Sequence, residues 1–159
     1  MTPTHRHQQP STRTARMHQP YDPWQAADTL GLTIRYAPLR DCLGCWVPPD
    51  RLIVLATRLT HVQERDTLAH EVEHALKHDT DCRYAGAAGR LWSRRQEARA
   101  DEAAARKLIP TVDLEDALNW ATSREEAAHE LGVTEHMLRV RLLIRRRDLE
   151  WLDTSRTDG

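Results

Sequence analysis

Phenylalanine is missing altogether from the 159 residues, and the aromatics are five Trp and three Tyr. A core must then be assembled mostly from Leu, Ala, Val and Ile, which is feasible because hydrophobic residues still make up 40% of the chain. Cysteine is scarce. Three thiols cannot all pair within one chain, which excludes a disulfide scaffold and points to a reducing cytoplasm. No apolar run approaches the roughly 18 residues needed to span a bilayer. The opening stretch, MTPTHRHQQPSTRTARMHQP, lacks the apolar segment of a secretory signal. A large net charge is absent too: Lys+Arg 23 against Asp+Glu 24 leaves −1, which argues against a globally basic nucleic-acid binder. A membrane protein, a secreted mini-domain and a fibrous chain are thereby excluded.

What is present suits one compact domain with a small appendage. Residues 1–21 are rich in Pro, Thr, Gln, His and Arg and have little to bury, so a disordered tail is expected, with His5, His7 and His18 as bystanders. Asp22-Pro23 is a helix start, and Trp24, Ala26, Ala27 and Leu30 form a short amphipathic helix that stops at Gly31. Alternation in 32–39 predicts a half-buried strand. Segments 45–47 and 51–56 read as two more, joined by the turn Pro48-Pro49-Asp50. From Thr60, which forms a capping box with Gln63, the apolar period becomes helical through about His78. A polar stretch over 79–90 precedes a long Ala-rich helix from about Ser93 to Ile109, stopped by Pro110. Three further helices are expected over Leu114–Ala121, Arg124–Leu131 and Glu135–Leu152.

The helix over 61–78 contains His70-Glu71-Val72-Glu73-His74, an HExxH. Residues i and i+4 lie one turn apart on one face, so two imidazoles can converge on one Zn²⁺. Glu71, one step along, can reach a water at the metal without ligating the metal itself. The flanking Leu68, Ala69, Ala75 and Leu76 half-bury this helix, and burying two His and a Glu without a metal or partners would be costly. A catalytic zinc wants three protein ligands and an open position. Glu97 and Asp101, again i and i+4, put two carboxylates on one face of the second long helix. One could ligate the metal while the other accepts the N–H of a ligand histidine. The competing reading places both on a charged exposed face with Arg94, Arg95 and Arg99.

The runs TLAHEVEHALKHD and QEARADEAAARKLIP resemble the ImmA/IrrE family of zinc metallo-endopeptidases, over roughly residues 22–150. The resemblance implies an α+β fold: a zincin-like core over 22–110, with a small twisted three-stranded sheet packed on two metal-binding helices. A helical, HTH-like C-terminal part over 111–153 would pack on it. It further implies His70, His74 and Glu97 as ligands of Zn²⁺, Glu71 as the catalytic base, and Asp101 as the support of a ligand histidine. Glu102, on the same helix as Glu97, leaves the third ligand open to an alternative. Glu73 stands where the family usually has Gly, so a bulky carboxylate is expected to oppose close helix packing and to add negative charge near the metal. The metal would polarise the scissile carbonyl and acidify water, with Glu71 moving the proton to the leaving amine. Strand Arg51–Ala56, read as an edge strand, could pair with an extended substrate. Tyr84, Arg83 and His78 are candidates to stabilise the oxyanion. Family members typically cut a helix-turn-helix repressor of a prophage, mobile element or stress response, so the implied partner is a protein substrate of that kind.

Other signals compete. Cys42-Leu43-Gly44-Cys45 is a CxxC without a second pair or a close histidine, and is read as incidental thiols. Residues 127–142, AAHELGVTEHMLRVRL, fit a helix-turn-helix, and Arg139, Arg141, Arg145, Arg146 and Arg147 could face phosphates. A DNA-binding regulator with a structural or vestigial zinc site is therefore the rival; a scaffold that holds peptide without cutting is a third reading. The plainer expectation for these helices is core packing with solvated arginines, His129 and His136 lying on the surface and Trp120 and Trp151 serving as core or lid packing.

Overall fold

The computed structural model describes residues 20–79 and 87–157. The expected disordered tail, with His5, His7 and His18, falls outside the described residues except at Pro20 and Tyr21. Tyr21 is packed against the helical core.

Helix α1, Pro23–Thr29, starts where Asp22 Oδ1 accepts the Trp24 backbone N–H at 2.9 Å and Pro23 occupies the first turn. Three strands follow, β1 (Thr33–Ala37), β2 (Gly44–Val47) and β3 (Leu52–Ala56). β2 and β3 form the expected antiparallel hairpin, through a 3₁₀ turn at Pro48–Asp50. The sheet order is β1-β3-β2, with β1 parallel to β3. β3 is thus the central strand, which corrects the expectation that 51–56 lies at an edge. Its near-continuous apolar run, with Ile53 and Leu55 fully buried, is that of a strand flanked on both sides. The edge strands are β1 and β2.

Helix α2, His61–Leu76, opens on a complete capping box: Thr60 Oγ1 accepts from Gln63 N at 3.2 Å and Gln63 Oε1 from Thr60 N at 3.0 Å. Its Leu68 and Val72 pack with Ala27, Ile53 and Leu55 against the sheet. Its Ala69 joins the second core, made with Ala104, Ala105, Leu108 and Ile109 of α3 and its end and with Leu138 and Ile144 further on. Alanine at these positions lets α2 and α3 approach closely, which is how a chain without Phe fills its interior. Helix α3, Ala87–Leu108, begins earlier than Ser93: alanines at 87 and 88 favour helix, and Gly89 costs only about 1 kcal/mol inside one.

The chain ends in α4 (Thr111–Trp120), α5 (Arg124–Leu131) and α6 (Glu135–Thr157). Ser123 caps α5, and Gly132 takes the left-handed conformation (φ +62°) that closes it. From α2, Arg65 donates to Gly132 O at 3.0 Å and Asp66 Oδ2 accepts from Thr134 N at 2.7 Å. These bonds fasten the start of α6 to the HExxH helix. Trp120 and Trp151 are exposed, so the core half of the expectation of core or lid packing does not hold; both lie within the last two turns of their helices. Among the described residues the fold is α+β, with six α-helices and one mixed sheet. No described helix is long and apolar enough to cross a membrane.

Candidate metal centre

Two helices bring the donors together. On α2, His70 and His74 are one turn apart and their Nε2 atoms lie 3.0 Å from each other. From α3, Glu97 places Oε2 3.2 Å from His70 Nε2 and Oε1 3.3 Å from His74 Nε2. Four-coordinate zinc with bonds of about 2.0–2.1 Å has ligand atoms about 3.3 Å apart. The spacing of the three donors therefore fits one such ion. No other group of three or more His, Cys, Asp or Glu donors converges among the described residues. Glu102 is turned to Arg147, 2.7 Å away, and is not part of this group.

The far sides of both imidazoles are fastened. His70 Nδ1 is 2.8 Å from Asp101 Oδ1, and His74 Nδ1 is 2.9 Å from Asp79 Oδ2. Asp79 is itself buried and receives Gln96 Nε2 at 3.0 Å and Arg99 at 2.5 Å. Each histidine can thus donate from Nδ1 and keep the Nε2 lone pair for the common point. Burial opposes a charge on His70, but Asp101 and Glu97 overcome it and push its pKa up to about 10. His74 is raised as well, Glu97 and Asp79 outweighing burial and the like-charged His70. The two histidines hold the Glu97 carboxyl well below the usual carboxylate range. Such a constellation calls for a cation, whether protons or a metal.

Glu71 lies beside this group and is buried. Burial raises its pKa, opposed by His70 and His74 and by the Trp46 backbone N–H. Strand β2 comes close enough to Glu71 that only glycine fits at 44. A Cβ on Gly44 would stand 2.6 Å from Thr67 Cγ2 and 2.9 Å from Glu71 Oε1. Next to these residues opens a cleft of about 420 Å³, lined by Leu43 and Gly44, by His136 and Met137, and by His70, Glu71 and Glu97.

Two neighbours of the site were not expected from the sequence. Asp79 follows the end of α2, and His136, expected only as a surface residue, places Nε2 3.1 Å from Asp101 Oδ2 while lining the cleft. The i, i+4 spacing of HExxH points to neither, since Asp79 lies just past the end of α2 and His136 comes from α6. Glu73 is buried and ion-paired with Lys107 of α3. Its carboxylate is accommodated between the helices and matched by a cation, contrary to the expected packing conflict. His78 is exposed and left-handed (φ +54°); Cys82, Arg83 and Tyr84 lie outside the described residues. Cys42 is exposed at the cleft, and Cys45 Sγ is 3.7 Å from Trp46 O.

Most of the tail arginines are engaged within the chain. Arg141 is buried, donating to Ile109 O and Thr111 Oγ1, both at 2.8 Å, and Arg145 forms two bonds to Glu115. Arg146 and Arg147 pair with Glu150 and Glu102. Comparison with known families finds a match to the model described as the IrrE N-terminal-like domain, Peptidase_M78, over residues 27–143. No curated protein matches the chain.

Proposed function

The chain belongs to the IrrE N-terminal-like peptidase family, and from that premise we propose that it is a zinc-dependent endopeptidase of the HExxH type acting on a protein substrate. The convergence of His70 Nε2, His74 Nε2 and the Glu97 carboxylate, with Glu71 alongside, carries the reading. His70, His74 and Glu97 would hold the ion, and Asp101 and Asp79 orient the two imidazoles. A zinc ion there supplies Lewis acidity toward the scissile carbonyl and acidifies water. Glu71 takes the proton from the attacking water and delivers it to the departing amine. Its burial raises the carboxyl toward the range where one group can serve in both directions. The substrate lies extended along β2, an edge strand whose residues Leu43 and Gly44 border the cleft; strand addition presents its carbonyl to the site. This places the substrate on β2 in place of Arg51–Ala56.

The substrate class we favour is a helix-turn-helix repressor, and the three thiols suit a reducing cytoplasm. The DNA-binding alternative draws less support, because the buried or paired Arg141, Arg145, Arg146 and Arg147 have partners inside the chain. The decisive experiment exchanges Glu71→Gln. Zinc content by elemental analysis should stay at about one per chain, while cleavage of a peptide library, read by mass spectrometry, should fall about 10²–10⁴-fold. Cleavage at the unaltered rate would overturn the assignment of roles.

A further inference from the structure

Asp101 has two carboxylate oxygens, and each is taken by an imidazole from a different helix. Oδ1 faces His70 Nδ1 of α2 at 2.8 Å; Oδ2 faces His136 Nε2 of α6 at 3.1 Å. The other ring nitrogen of His136, Nδ1, is 3.0 Å from an Arg139 guanidinium nitrogen. A guanidinium only donates, so Nδ1 must accept, and the neutral ring carries its proton on Nε2. His136 therefore donates to Asp101. The carboxylate, anchored at both oxygens, accepts from His70 Nδ1 and so holds the ring with Nε2 turned to His74 and Glu97. The polarity of three successive hydrogen bonds is fixed from the α6 surface to the metal centre.

We infer that His136 is a positioning residue for the metal centre, setting the orientation of His70 through Asp101. The inference rests on the metal-site reading proposed above and extends it to α6. His136 is well placed for this. It sits on the first turn of α6, directly after the Thr134 N–H that Asp66 anchors, so the ring is presented from a segment tied to α2 itself. Its side chain is 52% exposed, so its bond to Asp101 adds little to folding, and an effect on metal binding is separable from one on stability.

The test measures zinc affinity of the full chain by competition with a chromogenic chelator, alongside the melting temperature of the metal-free protein. His136→Ala should weaken zinc about 3- to 10-fold, somewhat less than loss of a direct partner of a ligand histidine, with the metal-free melting temperature unchanged. His136→Gln, which keeps an N–H donor at the end of the side chain, should recover most of the affinity. In an Asp101→Ala background, His136→Ala should have no further effect, because the two act in series. Affinity of His136→Ala within about twofold of the parent overturns the inference, as does an undiminished effect in the Asp101→Ala background. A fall in affinity matched by a fall in metal-free stability overturns it equally. A parent protein that takes up no zinc would sink the metal-centre reading along with it, whereas unaltered affinity in the variant sinks the positioning role alone.

Discussion

At the scale of single residues, the imidazoles of His70 and His74 sit among four carboxylates, from Glu71, Asp79, Glu97 and Asp101, and this sets how tightly they hold protons. The pKa of His70 in the metal-free protein is pushed up to about 10, above the value of about 6.5 expected in the unfolded chain. The folded form holds this proton more tightly. Its contribution to stability is therefore complete below about pH 6.5 and is lost as the pH rises toward 10. Metal uptake at the proposed centre would have the opposite sign, because the ion must expel the proton. We expect zinc affinity to increase from pH 6 to pH 9 while the metal-free protein loses stability over that range. Calorimetric titrations in buffers of different ionisation enthalpy would count the protons released; zinc binding without proton release would contradict the charge state assigned to His70. Part of this residue-level arrangement was readable beforehand. His70, Glu71 and His74 follow from helical spacing alone, while Asp79, five residues past His74 but beyond the end of α2, and His136, from α6, reach the site by chain paths that helical spacing does not describe.

At the scale of elements, the site depends on how near strand β2 comes to helix α2. Gly44 is the point of contact, and there the requirement is for the missing side chain, not for an unusual backbone angle. Gly44→Ala would force a methyl group against Thr67 and Glu71, so either the strand or the Glu71 carboxylate must shift. A destabilisation of about 1–3 kcal/mol is expected from overpacking. Peptidase activity should drop about 10- to 100-fold, the effect of misplacing a reacting group by an ångström. Zinc content should be preserved, since His70, His74 and Glu97 are not touched. Denaturant unfolding, elemental analysis and cleavage rates would separate these effects; full activity would show that β2 yields freely. The existence of the strands and of the capped α2 was legible from alternation and from the Thr60–Gln63 box. The position of β3 at the centre of the sheet was not, because strand order depends on partners distant in sequence.

At the scale of the whole molecule, α6 locks the C-terminal helices onto α2 and α3, and Arg141 is its most buried charge. Its guanidinium bridges the end of α3 and the start of α4 through Ile109 O and Thr111 Oγ1. Arg141→Ala would leave the buried Ile109 carbonyl without its donor, whereas the exposed Thr111 hydroxyl can turn to water. We expect a loss of about 1–3 kcal/mol in urea unfolding, the range for a buried group left without its partner. Under the DNA-binding alternative, the same change would instead leave stability intact and reduce salt-sensitive duplex affinity. The sequence by itself determined the α+β composition, the helix that carries HExxH and the pair of carboxylates one turn apart on its neighbour, because all of these are written in short-range periodicity. Only the tertiary structure decided that Glu97, not Glu102, faces the two imidazoles, that β2 borders the cleft, and that an arginine of the tail is buried. The physical reason is that these outcomes depend on how faces of separate elements pack together, and packing brings into contact residues whose separation along the chain carries no repeat.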